Sequence, residues 1–588
     1  MTLGLEMSPS AIEADRATGL PVPNDIFVLE ARGWSSTEVE CQPKLLALAS
    51  LANLAQPEPV ASVGYKSNGN VLVVAGEQPE RARRAAERLA GALHVTLLQA
   101  TPAPAAGVAA WSGRIESLAG YLGEFTATIA GLARAGEPAA AQPLPARFDL
   151  VLDFSAAPLF AMRQPPQGYW HAPRTEGELE AVLAEMGEAV GDFDKPRFFA
   201  YRENLCAHSR SQVVGCNNCI EICSAGAIVP DGDHVKVDPH LCMGCGACST
   251  VCPSGAMTYQ YPRVPDRGTQ LKQLLSIYRH AGGTEPCILF HDGGDGRDLL
   301  AEAAMAGQGL PARVLPLETW HVAAVGLDLL LPAIAFGASQ VVVLATPGAD
   351  REYLEALREQ MAIGEAILAG LGRPGLHFAL LEARDAESLA RACAALEPAP
   401  ECAAPATFML SNDKRTSIEF AVEHLARLAP QPVDEIALPA GAPYGEVRVD
   451  EKKCTLCMAC VGACPESALM DGVDQPLLKF LERNCVQCGL CEATCPEDAI
   501  TLSPRLLLGA GAREARIVNQ SQPFHCIGCD KPFATRQIIE LMMGRLAGHS
   551  MFTQPGALRR LQMCGDCRVV DLMSSKDEAS VLGRRSES

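Results

Sequence analysis

Between Cys454 and Cys495 one spacing, C-x2-C-x2-C-x3-C-P, occurs twice: Cys454, Cys457, Cys460 and Cys464-Pro465, then Cys485, Cys488, Cys491 and Cys495-Pro496. Thiolates this close converge only if a short loop wraps them around one body, and soft sulfur ligands at this spacing suit an iron–sulfur cubane. The last x3 step is expected to start a helix. A proline does no harm there, because the first N–H groups of a helix have no internal partner. The arrangement recurs between Cys206 and Cys252. Its second half is regular (Cys242, Cys245, Cys248, Cys252-Pro253), whereas its first half reads Cys206-x9-Cys216-x2-Cys219-x3-Cys223, with Ser224 in the place of proline. The insertion makes Cys206-Ala-His-Ser-Arg-Ser-Gln a loop over that site. All four runs end alike, in Cys223-Ser-Ala-Gly-Ala, Cys252-Pro-Ser-Gly-Ala, Cys464-Pro-Glu-Ser-Ala and Cys495-Pro-Glu-Asp-Ala, so one half-module is repeated four times.

These runs resemble the bacterial two-cluster ferredoxins, in which three cysteines of a run hold one [4Fe-4S] cluster and the fourth reaches across to the other. The resemblance implies four clusters. Cys454, Cys457, Cys460 and Cys495 would hold one, and Cys485, Cys488, Cys491 and Cys464 its neighbour. In the earlier stretch the sets would be Cys206, Cys216, Cys219 with Cys252, and Cys242, Cys245, Cys248 with Cys223. Without Cys206, the first of these would be a three-iron species.

A chain of 588 residues exceeds one core and should divide into several domains. Sixteen of its 24 cysteines lie in the four runs, four form the pairs Cys526-x2-Cys529 and Cys564-x2-Cys567, and Cys41, Cys287, Cys393 and Cys402 stand alone. Two C-x2-C knuckles can set four thiolates in a tetrahedron, which suits structural zinc; a further iron–sulfur centre, redox-active dithiols and unligated thiols are the other readings of the spacing. Thiolate ligation on this scale needs a reducing compartment. Met1–Leu20 contains Glu6, Glu13, Asp15 and Arg16 and no apolar core, so no signal peptide is expected. Val322–Ala345 is interrupted by Asp328, Pro332, Gly337 and Gln340 and reads as a buried helix followed by a strand, not a membrane span. The expectation is a cytoplasmic protein without a transmembrane segment. A formal charge of −20 argues against nucleic acid and suits docking onto a basic patch of a redox partner.

The expected fold class is α/β plus α+β, multidomain, with two 2[4Fe-4S] modules interleaved with two small α/β domains and a C-terminal, zinc-ribbon-like region built on the two cysteine knuckles. Residues 1–68 show little periodicity and are expected on the surface or partly disordered. Residues 69–195 alternate strand, helix and strand: Val71–Ala75, Arg81–Leu93, Val95–Gln99 and Phe148–Phe154. The first cluster module spans 196–265. A second α/β domain, 269–395, has strands at Cys287–Phe290, Gln340–Leu344 and Phe378–Leu381 and helices at Arg297–Ala306 and Arg351–Leu371. Its Gly293-Gly-Asp-Gly turn matches neither glycine-rich nucleotide motif, and Asp292, Asp295 and Asp298 would repel phosphate, so no flavin or nicotinamide site is expected. Residues 397–444 read as a linker and a helix from Ile418 to Leu428, 445–504 as the second module, 520–572 as the double-knuckle region with a helix at Thr535–Leu546, and 573–588 as a disordered tail.

On Leu331-Pro-Ala-Ile-Ala-Phe-Gly-Ala-Ser-Gln-Val-Val-Val-Leu, the middle domain is similar to the delta subunit of methyl-viologen-reducing hydrogenases. That family usually carries a [2Fe-2S] centre near its first strand. Here only Cys287 is close, so the likeness implies the fold and a docking role, not the cluster. The cluster runs, the Cys206-Ala-His-Ser-Arg-Ser loop, the Phe148-Asp-Leu-Val-Leu-Asp-Phe-Ser strand and the terminal Cys567-Arg together resemble the long 4Fe-4S proteins that accompany bacterial formate dehydrogenases. The favoured reading is an electron-transfer component, ahead of a catalyst in its own right, that serves a partner oxidoreductase such as a formate dehydrogenase. The alternatives are a subunit of a heterodisulfide-reductase-like enzyme and an accessory factor for metalloenzyme assembly.

Overall fold

The computed structural model describes residues 38–100, 106–134, 138–306, 309–472, 475–552 and 555–574. The first 37 residues and the tail from 575 onward, both within segments expected to be partly disordered, lie outside the described residues.

The strand Asn70–Val74 is apolar from Val71 onward because it is covered on both faces, as the centre of a parallel sheet must be. It pairs in parallel with His94–Gln99 on one side and Leu150–Asp153 on the other. The seven-stranded sheet runs in the order Leu144–Phe148, Phe125–Arg134, Ala109–Ala119, His94–Gln99, Asn70–Val74, Leu150–Asp153, Tyr169–His171. Helices Pro79–Leu89 and Glu176–Glu188 close one face through Ala82, Ala86, Leu179 and Met186. Two expectations change here. The segment from Phe148 to Phe154 is not one strand but two, broken at buried Asp149. Its carboxylate accepts the N–H groups of Asn68 (2.8 Å) and Asn70 (3.0 Å), so the chain leaves the antiparallel edge and enters the parallel centre at that residue. The antiparallel meander Ala109–Ala119, Phe125–Arg134, Leu144–Phe148 was not anticipated; its first strand is half exposed and bulged, which blurs its alternation.

The second α/β domain is a four-stranded parallel sheet ordered Val314–Thr319, Cys287–Asp292, Gln340–Ala345, Phe378–Glu382. Helix Leu327–Ala335 is buried along its whole length and leads into the fully buried strand Gln340–Ala345. The N-terminal segment departs from its expected surface position. Helix Glu38–Leu51 enters this core, with Ala47, Leu48 and Leu51 against Leu271, Leu274 and Leu275 of helix Val264–His280. Its Lys44 is wholly buried, its ammonium bonded to the carbonyls of Leu310 (3.4 Å) and Pro311 (3.3 Å). A pattern reading takes a lysine there as solvent-facing, and so misses the helix.

Helix Lys414–Arg427 packs on Leu327–Ala335 and leads to the second cysteine-rich module. There Ile500–Leu507 pairs with Gly445–Val449 and Glu435–Ala437, and Leu477–Phe480 with Leu469–Asp471 and Arg516–Gln520. The two cysteine-rich modules touch where a Cβ on Gly215 would stand 2.6 Å from Leu490 Cγ. Beyond them, the hairpin Pro523–His525 and Pro532–Thr535 precedes helices Arg536–Leu546 and Gly565–Ser574. Among the described residues, no helix is long and apolar enough to cross a membrane.

Candidate iron–sulfur centres

Each regular cysteine run folds by one recipe. After its first cysteine the backbone turns left-handed at Gly244, Leu456 or Gln487, and again at Gly246, Met458 or Gly489, one residue past the second cysteine. Two such turns curl a C-x2-C segment so that its sulfurs face inward. A five-residue helix follows, Ala247–Val251, Ala459–Ala463 or Leu490–Thr494, and stops at the fourth cysteine, whose backbone is extended. The proline is therefore not at a helix start, as expected, but just beyond a helix end. Its ring forces the preceding cysteine out of the helical region and terminates the element. Three residues after the fourth cysteine the chain turns left-handed again, at Gly226, Gly255, Ser467 and Asp498. This turn aims a backbone N–H back at the sulfur: Ala227 to Cys223 (3.3 Å), Met257 to Cys252 (3.4 Å), Ala468 to Cys464 (3.2 Å), Ala499 to Cys495 (3.3 Å). The repeated tail of the four runs encodes this donor. Hydrogen bonds to ligand sulfurs are one of the features that set a cluster's potential.

The sulfurs gather in crossed groups. One cavity is lined by Cys454, Cys457, Cys460 and Cys495, another by Cys242, Cys245, Cys248 and Cys223. Burial pushes the Cys460 thiol up to about 12, with Cys454, Cys457 and Cys495 adding to the effect. Burial likewise raises Cys488 to about 11, where Cys464 and Cys485 are its charged neighbours. Cys216 is raised to about 12 by burial and by Cys252, Cys206 and Cys488, against the lowering N–H of Asn218. Thiols this crowded hold their protons until a cation replaces them, which fits the donor set to an iron–sulfur cluster and makes loading a proton-releasing event.

The irregular first half reaches the same end by another path. The insertion forms a hairpin, Ser209–Arg210 against Val213–Val214, with Ser211 and Gln212 left-handed at its tip. The Cys216 N–H donates to the Ala207 carbonyl (2.9 Å) and that of Gly215 to His208 (2.7 Å), so buried Cys206 returns beside Cys216. Ser224, the other departure, serves both α/β domains. Its hydroxyl donates to Gln164 Oε1 (3.2 Å) and its carbonyl accepts the Gln164 N–H (3.1 Å). Its hydroxyl and backbone N–H also meet the Tyr353 phenol, which bonds Cys245 in turn. Proline has no N–H to offer. The missing proline is visible in the sequence, but nothing there signals Tyr353, 129 residues away in helix Arg351–Gly370.

Neighbour relations arrange the four groups in a line. Cys248 senses Cys219 across the first module, Cys216 senses Cys488 across the module contact, and Cys491 senses Cys460 across the second. The groups of Cys206 and Cys485 are therefore inner, and those of Cys242 and Cys454 outer.

The four knuckle cysteines, Cys526, Cys529, Cys564 and Cys567, have sulfurs within 4.8 Å of one another. Burial pushes Cys526 up, but N–H groups, among them those of Cys564 (3.2 Å) and Gly528 (3.4 Å), prevail and draw it down to about 6. A thiolate at neutral pH among three further sulfurs can hold a metal ion. This region rests on the outer group, with Thr535 Oγ1 donating to the Thr455 carbonyl (3.0 Å) and Asn519 Nδ2 to that of Cys454 (3.4 Å).

Two stretches of the chain match protein-family models described as 4Fe-4S dicluster domains, residues 214–256 and residues 453–500. The first match begins after Cys206 and leaves it out. No curated protein matches the chain. The protein thus carries two 4Fe-4S dicluster domains of ferredoxin type, a class whose chemistry is iron–sulfur electron transfer.

Proposed function

We propose that the protein relays single electrons through four [4Fe-4S] clusters, held by Cys242, Cys245, Cys248 and Cys223; by Cys206, Cys216, Cys219 and Cys252; by Cys464, Cys485, Cys488 and Cys491; and by Cys454, Cys457, Cys460 and Cys495. Each cluster, when bound, stores one electron at a potential set by its surroundings. The observation that carries the reading is the succession of four gathered sulfur groups across two touching modules, with an amide N–H aimed at the fourth sulfur of every run. The protein's own part is to gather thiolates, exclude water and fix separations. The two α/β domains act as spacers and docking surfaces, the second in the manner of the hydrogenase delta subunit it resembles. Cys526, Cys529, Cys564 and Cys567 hold a structural zinc ion that keeps the C-terminal region seated on the last centre. Chemistry on substrate belongs to a partner oxidoreductase in the cytoplasm, a formate dehydrogenase by resemblance.

Anaerobic purification followed by metal and sulfide analysis tests this. About 16 iron, about 16 acid-labile sulfide and about one zinc per chain are expected, with magnetically interacting clusters after reduction. About eight iron would refute a four-centre relay.

A further inference from the structure

Two adjacent cations at the start of helix Lys414–Arg427 meet both cysteine-rich modules. The Lys414 side chain is buried, and its ammonium donates to the carbonyls of Ser249 (2.9 Å), Thr250 (2.6 Å) and Cys252 (3.1 Å) at the end of helix Ala247–Val251. The Arg415 guanidinium stacks on Tyr444, its carbon 4.4 Å from the ring centre. One of its nitrogens donates to Pro253 (3.5 Å) and Pro443 (2.9 Å), the other to Arg483 (2.8 Å) and Cys485 (3.1 Å). Cys252 and Cys485 belong to the two inner groups. The contacts therefore fall on the backbone of one cysteine in each inner group, on either side of the Gly215–Leu490 contact.

A buried ammonium whose hydrogen bonds all go to neutral carbonyls carries a desolvation cost. Asp328, a carboxylate that feels its positive charge, is itself buried. Negative charge on the neighbouring sulfur groups offsets the cost, and the benefit grows as that charge grows. Arginine is suited to the second position because its planar fork spans several acceptors at fixed angles, which a lysine cannot reproduce.

We infer that Lys414 and Arg415 form the junction of the relay: they fix the spacing of the two inner centres and raise the reduction potentials of those two. This rests on the four-centre reading. Both are positioning residues that act through backbone carbonyls.

The test is a potentiometric titration of the anaerobically purified full-length chain, followed by EPR, for the parent, Arg415→Gln, Arg415→Lys and Lys414→Met. In Arg415→Gln two of the four one-electron steps should fall while the other two stay, and in Lys414→Met one, that of the centre held by Cys252, should fall. A tenfold lower ratio of reduced to oxidised cluster at fixed potential corresponds to about 59 mV. Arg415→Lys keeps the charge but loses the fork, so its potentials should hold while the magnetic interaction between modules weakens. If Arg415→Gln loses iron, Arg415→Lys and Lys414→Met decide. Four unmoved steps, or four that move together, at full iron content overturn the junction and leave the relay standing. An Arg415→Lys variant equal to the parent in both measurements overturns the spacing role. A parent without iron fails the relay instead.

Discussion

Replacing Tyr353 by phenylalanine removes one oxygen atom from the surroundings of one outer centre. The phenol is buried, and burial, with the charge of Cys245, keeps it protonated well above its ordinary range. The Ser224 backbone N–H donates to its oxygen, which leaves the phenol hydrogen for the Cys245 sulfur. A hydrogen bond to a charged acceptor is worth about 1.5–3 kcal/mol, and the potential responds only to the part that differs between oxidation states. With about a third realised in the more negative, reduced state, the difference is about 0.5–1 kcal/mol, equivalent to about 20–40 mV for one electron. The donor stabilises the reduced form, so Tyr353→Phe should lower one potential by that amount and leave the other three alone. Redox titration followed by EPR reads this directly, and Ser224→Pro, which deletes the N–H and the hydroxyl that meet the phenol, should shift the same step downward. An unchanged potential with four intact clusters, or an upward shift, would refute a sulfur-directed phenol.

Cys495→Ser should damage the cluster held by Cys454, Cys457 and Cys460; spectra that lose the Cys485–Cys491 centre instead would overturn the crossed ligand sets. Gly215→Val places new carbon 2.6 Å from Leu490 Cγ and 2.7 Å from the Ala207 carbonyl, and should cost about 1–3 kcal/mol. A lowered melting temperature and a weaker magnetic interaction between modules are expected; a parent-like melting curve would contradict the contact. Burial keeps His291 neutral down to about pH 4 rather than its ordinary 6.5. The unfolded chain binds a proton in that window that the fold does not, so stability falls as pH drops from 6.5 to 4, by up to about 3 kcal/mol from this group. His291→Gln should flatten the acid limb of the unfolding profile, and equal slopes in the two proteins would exclude the histidine as its source.

The cysteine runs were legible because their ligands are local: each hairpin of backbone is specified by residues three or four apart, down to the left-handed Gly226, Gly255, Ser467 and Asp498 that share one position in the repeat. The proline was legible as a marker but misplaced, since a helix end and a helix start both tolerate it. Parallel strands such as Gln340–Ala345 announced themselves as unbroken apolar runs. What remained hidden depends on tertiary partners. Lys44, Lys414 and Arg415 look like solvent-facing cations, and only the folded chain shows that they bind carbonyls far away in sequence. Tyr353 lies in an amphipathic helix where an aromatic residue reads as ordinary core. Ser224 reads as a lost proline until the two domains that use its hydroxyl and N–H are in place.

The path of helix Glu38–Leu51 has a consequence for how the chain can be divided. The polypeptide first lays a helix into the second α/β core, then builds the first α/β sheet, then the first cysteine-rich module, and only afterwards the strands that enclose that helix. The second α/β domain expressed alone would lack Ala47, Leu48 and Leu51, part of a core that closes through contacts more than 200 residues apart. Such long-range closure is slow to form, and it holds the intervening module from both sides once formed. The N-terminal third of the chain is thus bound into the rest like a clasp, and limited proteolysis between the sheets should leave the fragments associated rather than release them.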